Sequence, residues 1–268
     1  MNTAPSASCT ATPDGSITFD LPLPPAQGHQ LLLRLRPGKG QPERTLHTLD
    51  LEPTDNGRVR AVLGPAPLLE EGRWDVFLLR GGDAPRQRLR PGLRDLRALV
   101  DGHLRDREPP LAVRIPYVTT NGCLAIRAWL RPAHAEADGV DVTERTTTVG
   151  ARLHGTSRRT GAVVRLRLRG GGGVVHTVQP RAGDDGRAFS FTLDHAELVA
   201  ATGAASGVWD VFVQPAADAP LVRVARLLDD VADRKNVFVY PRIGVDGAVL
   251  RPYYTVDNDL SVEVKRPG

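Results

Sequence analysis

Apolar and polar residues alternate with period two in short runs along the whole chain, and the runs are broken by Gly, Pro, Asn and Asp. Alternation of this kind predicts β-strands with one buried face rather than helices. Ile17-Thr18-Phe19-Asp20-Leu21 is one such run. Leu31, Leu33 and Leu35 share a second face, with Arg34 and Arg36 opposite. Residues 45–51 and 58–63 predict two more strands, joined by the turn-forming Pro53-Thr54-Asp55-Asn56-Gly57. Gly72-Arg73-Trp74-Asp75-Val76-Phe77 reads as a central strand, closed by a turn at Gly81-Gly82-Asp83. Residues 111–115 and 124–130 complete the set, while 1–14, small and proline-containing, read as a disordered tail.

The pattern then repeats. Gly207-Val208-Trp209-Asp210-Val211-Phe212 echoes the Trp74 run at a spacing of 135 (209 − 74). Pro252-Tyr253-Tyr254-Thr255 echoes Pro116-Tyr117-Val118-Thr119, and Leu260 echoes Leu124, both at 136 (252 − 116 and 260 − 124). Val164, Leu166 and Leu168, with Arg165, Arg167 and Arg169 opposite, mirror the earlier Leu/Arg strand, and His176-Thr177 mirrors His47-Thr48. The anchors pair scarce residue types, since the chain has 3 Trp and 4 Tyr, so the spacing points to a tandem duplication. The expectation is an all-β chain of two sandwiches, 15–130 and 140–268, joined by a linker at 131–139. One short helix is expected after Asp194, where an Asp N-cap is followed three positions later by Glu197.

Composition fits this picture. A chain of 268 residues, 41% hydrophobic with 27 Gly and 22 Pro, suits two domains rich in turns. The net charge of +4 permits an acidic partner without demanding one. Its basic side is nearly all arginine, the lysines being Lys39, Lys235 and Lys265. Cys9 and Cys123 supply neither a disulfide framework nor a zinc spacing. No run is long and apolar enough for a membrane span and no signal peptide opens the chain, so a cytoplasmic location is expected.

The order Gly-x-Trp-Asp-Val-Phe, then Pro-Tyr-x-Thr, then Asn-x-x-Leu resembles the immunoglobulin-like accessory domains that follow the catalytic domain in some bacterial glycosyltransferases and teichoic-acid-type polymerases. In the second copy the closing phrase is Tyr254-Thr255-Val256-Asp257-Asn258-Asp259-Leu260-Ser261. In the first it is looser: Tyr117, Thr119, Asn121, Gly122, Leu124 and Ala125. The resemblance implies two tandem immunoglobulin-like β-sandwiches with a non-catalytic role, binding a glycan or anionic polymer or docking to a glycosyltransferase.

Candidate chemistry is sparse. Trp74 and Trp209, inside apolar strands, read as core, which turns Asp75 and Asp210 to the opposite face, where arginine partners are expected. Arg86, Arg88 and Arg90 fall at period two, so on one strand they line one face and offer guanidinium forks to phosphate or carboxylate. Tyr117, Tyr253 and Tyr254 stand near a sandwich end. One of the adjacent pair must face outward as a ligand contact, and a buried tyrosine there is expected to bond back to backbone. For an enzyme with a pocket between the sandwiches, the alternative reading, His176, His195, Asp210 and Tyr254 are the groups of interest. The histidines are scattered without a metal-ligand motif, so neither metal nor cofactor is expected. Nucleic acid is disfavoured because no aromatic stacking platform accompanies the charge. A third expectation, assembly of copies through exposed sheet faces, stays open.

Overall fold

The computed structural model describes residues 4–43, 46–81, 84–102, 107–183 and 185–267. Gly82, Asp83, His103 and Asp106 lie outside them, and with Gly82 and Asp83 the turn expected there. The chain is all-β: among the described residues the helices are Arg97–Val100 and His195–Thr202, and the other elements are strands. It divides into two compact units. Unit 1 comprises Met1–Arg107, Ala112–Leu130 and Leu228–Ala232, and unit 2 comprises Glu108–Leu111, Arg131–Leu227 and Asp233–Gly268.

Unit 1 is built of two sheets. One runs in the order Glu52–Pro53, Val59–Leu63, Ile17–Leu21, Ser6–Ala11, Arg90–Asp95. The other runs Leu111–Val118, Leu124–Arg131, Gly72–Leu79, Gln30–Leu35, Leu46–Asp50, with Gln87–Arg88 also paired to Gly72–Leu79. Inward residues of both sheets share one core around Trp74, including Phe19, Leu31, Leu33, Val76 and Ile126. Burying each such side chain is worth about 1.5–3 kcal/mol, so alternating strands are stable only with their apolar faces opposed.

Two expectations fail here. Ser6–Ala11, within the supposed tail, is an interior strand, antiparallel to Ile17–Leu21 and parallel to Arg90–Asp95. Its inward residues, Ala7, Cys9 and Ala11, are buried, but they are too small to read as an apolar face. The residues at 131–139 are not an open linker either. Leu124–Arg131 ends there and His134–Val142 begins, with His134, Ala135, Glu136 and Ala137 all buried. No alternation marks the strand there, because four consecutive residues are buried and two of them are polar. The Glu136 carboxylate accepts from Leu227 N at 2.7 Å and lies 2.7 Å from His134 Nε2.

In unit 2 the strands order as Arg181–Ala182, Ala188–Asp194, Thr146–His154, His134–Val142, Val222–Ala225, Gly207–Gln214, Leu260–Lys265, Ala248–Tyr254, Ile243–Val245. Val163–Leu168 also pairs Gly207–Gln214, and Val175–Val178 pairs Val163–Leu168. The core gathers around Trp209. The expected helix is present at His195–Thr202, and the Asp194 side chain caps it by accepting from Glu197 N at 3.0 Å. This helix anchors the core: the Trp209 indole N–H donates to Thr202 Oγ1 at 2.9 Å. In unit 1 the Trp74 indole donates instead to the backbone oxygen of Glu70 at 3.0 Å.

Around each tryptophan the strands keep the same register. Leu33, Arg34 and Leu35 stand opposite Val76, Asp75 and Trp74, as Leu166, Arg167 and Leu168 stand opposite Val211, Asp210 and Trp209. On the other side Ile126 pairs with Trp74 and Val262 with Trp209. His47 and His176 lie beside their tryptophans, ring centroids 5.3 and 6.4 Å away, so each packs on an indole.

Candidate functional site

Alternation dictates the composition of the outer faces. With Trp74 and Val76 turned into the core, Asp75 and Phe77 turn away from it, yet both are buried, because arginines from neighbouring strands fold over them. Asp75 accepts from Arg34 at 2.8 Å and from Arg36 Nε at 2.8 Å, and Arg88 Nη2 lies 3.0 Å away. The guanidiniums of Arg34 and Arg88 sit 4.9 and 5.2 Å from the Phe77 ring centre. Glu43 closes the cluster from outside, accepting from Arg34 at 2.7 Å and from Arg86 at 2.9 Å. Burial opposes the charge on Asp75, but the hydrogen bonds from Arg36 and Arg34 outweigh it and hold its pKa below the ordinary value. Asp75 is an ionised anchor beneath three arginines, of which Arg34 and Arg88 leave their buried Nε without a hydrogen-bond partner.

Unit 2 repeats the plan with an opening in it. Asp210 accepts from Arg169 at 2.6 Å, from Arg223 at 2.8 Å and from the Ser261 hydroxyl at 2.9 Å. Arg167 and Arg223 lie over Phe212 at 5.5 and 4.8 Å. The Asp210 pKa is also lowered, burial again being outweighed by Arg169 and Arg223. Here the face opens into a cavity of about 590 Å³, lined by Arg131, Arg169, Arg223, Lys235 and Tyr253, with Asp210, Asp257 and Asp259 among the carboxylates. Asp259 is held by Arg131 and Arg223, each at 3.4 Å. The Tyr253 ring lines the same cavity beside Arg169.

The residues singled out from the sequence are dispersed. Arg86, Arg88 and Arg90 do not form one stripe: the chain changes sheets at the buried Leu89, so Arg88 pairs with the Gly72–Leu79 strand and Arg90 with Ser6–Ala11. Each arginine is engaged within the fold, Arg86 with Glu43, Arg88 with Asp75, and Arg90 with the backbone oxygens of Asn121 and Gly122 at 2.9 Å. Of the tyrosine pair, Tyr253 faces outward and lines the cavity, whereas Tyr254 is fully buried and presents no surface to a ligand. The Tyr254 ring packs against Phe238 and Tyr240, and burial pushes its phenol up. The tyrosine hydroxyls of 117 and 254 lack the backbone hydrogen bond expected of a tyrosine corner. Tyr117 is half-buried in unit 1.

The four groups considered for catalysis have separate surroundings in unit 2. His176 packs at Trp209. His195 opens the helix, its Nε2 2.9 Å from Thr147 Oγ1, with a pKa lowered chiefly by burial. Tyr254 belongs to the core and Asp210 to the arginine cluster. An ionised carboxylate held by two guanidiniums and a hydroxyl is an anchor and a poor proton acceptor. Among the described residues no group of three His, Cys, Asp or Glu is placed to hold a metal ion.

Sequence reasoning missed Arg131, Lys235 and Asp259. The first was assigned to the linker and the second lies in an irregular segment. Asp259 lies in the noted closing phrase, but nothing there marked it as part of an arginine network.

No protein-family profile matches the sequence, and no curated protein matches it. Among solved structures, the chain is similar to TarS of S. aureus, at 13% identity and a TM-score of 0.40, over 72% of this chain and 28% of TarS. The TarS fragment 217–571 gives 13% identity and a TM-score of 0.39, over 72% and 44%. A tetra-tandem repeat from the extending region of a large adhesion protein gives 12% identity and a TM-score of 0.21, over 82% and 47%. The chain therefore spans less than half the length of each of these structures. Likeness at this level establishes neither shared architecture nor shared function.

Proposed function

We propose that the chain is a non-catalytic accessory module, two immunoglobulin-like sandwiches (15–130 and 140–268) arisen by duplication, which binds a glycan or an anionic polymer, or docks to a glycan-synthesising enzyme. The observation that carries this reading is the convergence of Arg131, Arg169, Arg223, Lys235 and Tyr253 on one cavity of unit 2. Guanidinium forks match phosphate and carboxylate geometry, and a tyrosine at the wall supplies a flat face for a sugar ring. The shared register around Trp74 and Trp209 supports the duplication. Asp210, paired with Arg169 and Arg223, positions those cations instead of reacting.

Isothermal titration with a phosphodiester-linked glycan, a carboxylated glycan and a neutral one tests the reading. Binding is expected for the anionic polymers and is expected to weaken with salt. Tyr253→Ala and Lys235→Ala, both outside the core, should each reduce affinity several-fold. Absence of binding to any of the three, or binding indifferent to both substitutions, overturns the assignment to this cavity.

A further inference from the structure

We propose that unit 2 carries a seat for a single oxyanion, phosphate or carboxylate, between Arg165 and Arg167 beside Phe212, answering to the place that Glu43 takes on Arg34 in unit 1. The inference rests on the reading of unit 2's outer face as a binding surface and names the group recognised there.

Register establishes the correspondence. Arg34 stands opposite Asp75 and Arg167 opposite Asp210, while Arg88 stands opposite Phe77 and Arg223 opposite Phe212. Each phenylalanine thus carries two guanidiniums over its ring. Like charges so close repel unless a carboxylate lies among them. In unit 1 that is achieved twice, by Asp75 beneath and by Glu43 outside.

Unit 2 retains the inner carboxylate and lacks the outer one. Ten residues, 37–46, separate Arg36 from His47 and include Glu43, whereas six, 170–175, separate Arg169 from His176. Four of those six are glycines, Gly170 to Gly173, and none is acidic. Among the described residues Arg167 has no ion pair and no side-chain hydrogen bond, and it is exposed. Unit 2 also adds a cation: Arg165 stands opposite Phe212 where Leu32 stands opposite Phe77. The Arg165 Nε is buried without a hydrogen-bond partner, as are the Nε atoms of Arg34 and Arg88 in unit 1, but those two arginines pair with Asp75 whereas no carboxylate among the described residues pairs with Arg165.

Residues two apart on one strand face stand about 7 Å from each other at Cα, a separation that guanidinium side chains close around one tetrahedral or planar oxyanion. The shortened loop thus coincides with two arginines, 165 and 167, that have no internal counter-charge. One arginine of unit 1's register, Arg86, falls at Leu221 in unit 2, two residues before Arg223 as Arg86 is two before Arg88.

The test uses the full chain and inorganic phosphate, followed through the arginine Nε–Hε signals by NMR, with acetate as the carboxylate arm. Phosphate is expected to move the Arg165 and Arg167 signals in wild type, and Arg165→Gln with Arg167→Gln together to weaken binding at least tenfold. Leu221→Arg, which restores the third guanidinium, is expected to tighten it. Unchanged melting of the variants shows that they remain folded. If phosphate does not bind, or binds the double variant as it binds wild type, the seat does not exist, even where polymers still bind at the Tyr253 cavity. If phosphate binds here and no polymer does, the seat stands and the accessory-module reading fails. The relative strengths of phosphate and acetate identify the physiological group as a phosphodiester or a uronate.

Discussion

Asp75 and Asp210 occupy the same register in the two units and are treated differently by their surroundings. The Asp75 side chain is 3% exposed beneath three arginines, and the Asp210 side chain is 22% exposed at the edge of a cavity. The register and the aromatic floor are shared but the arginines differ: Arg34, Arg36 and Arg88 close over Asp75, whereas Arg169 and Arg223 hold Asp210. A longer loop delivers Glu43 and seals one face, and a glycine loop leaves the other open. The outer face of unit 2 carries Arg165 where unit 1 carries Leu32, and its shorter loop holds no counterpart of Glu43.

The comparison breaks most visibly if the two aspartates are removed. Asp75→Ala leaves three partly exposed guanidiniums without their shared carboxylate and should cost about 2–4 kcal/mol, whereas Asp210→Ala, with water closer at hand, should cost about 1–2 kcal/mol. Urea unfolding of the variants measures both, and equal costs would show that the two faces are electrostatically alike.

The same contrast governs acid stability. Both aspartates have folded pKa values below the ordinary 3.8, so each contributes stability that is complete above that pH and lost as pH falls through the folded value. Melting temperature followed from about pH 5 down to about pH 2 should fall, and Asp75→Asn should flatten that fall more than Asp210→Asn. His195 adds a separate limb. Its lowered pKa means that stability is complete above 6.5 and declines as pH drops below it, and His195→Gln should abolish that limb alone.

A smaller effect separates the tryptophan anchors. Thr202→Val deprives the Trp209 N–H of its acceptor and should cost about 1–3 kcal/mol, and unit 1 has no counterpart because its acceptor is backbone. The smallest concerns the glycines two before each tryptophan. A Cβ at Gly72 would come within 2.5 Å of Leu35 Cδ1, and one at Gly207 within 2.6 Å of Leu168 Cδ1 and 3.1 Å of Thr202 Cγ2. Leucine ends move easily, but Gly72 has a φ of +157°, which L side chains rarely adopt, so Gly72→Ala should cost about 1–2 kcal/mol, and Gly207→Ala, where only the Leu168 and Thr202 side-chain ends must give, under about 1 kcal/mol. Thermal melts rank the pair.

Much of the strand plan was legible because large apolar residues at period two leave few alternatives. Trp74, Trp209 and their outward aspartates are examples, and so is the helix capped by Asp194. What stayed hidden has physical reasons. Ser6–Ala11 buries alanine and cysteine, whose hydrophobic signal is too weak to mark a strand. Arg86, Arg88 and Arg90 keep perfect alternation across a point where the chain leaves one sheet for the other, and periodicity carries no information about that change. The cavity draws on residues from 131 to 259, so no local pattern announces it. Tyr253 and Tyr254 were separable only as a pair, and strand alternation alone does not decide which of them faces in.

The strand Ser6–Ala11 lies between Ile17–Leu21 and Arg90–Asp95. During synthesis its first neighbour emerges almost at once, but its second follows only when residue 90 has left the ribosome, and Leu228–Ala232 completes the unit later still. Unit 1 therefore depends on contacts distant in sequence, which slow folding through the entropy of closing long loops. A nascent chain halted after residue 130 would hold nearly all of unit 1 and still lack the segment that finishes it.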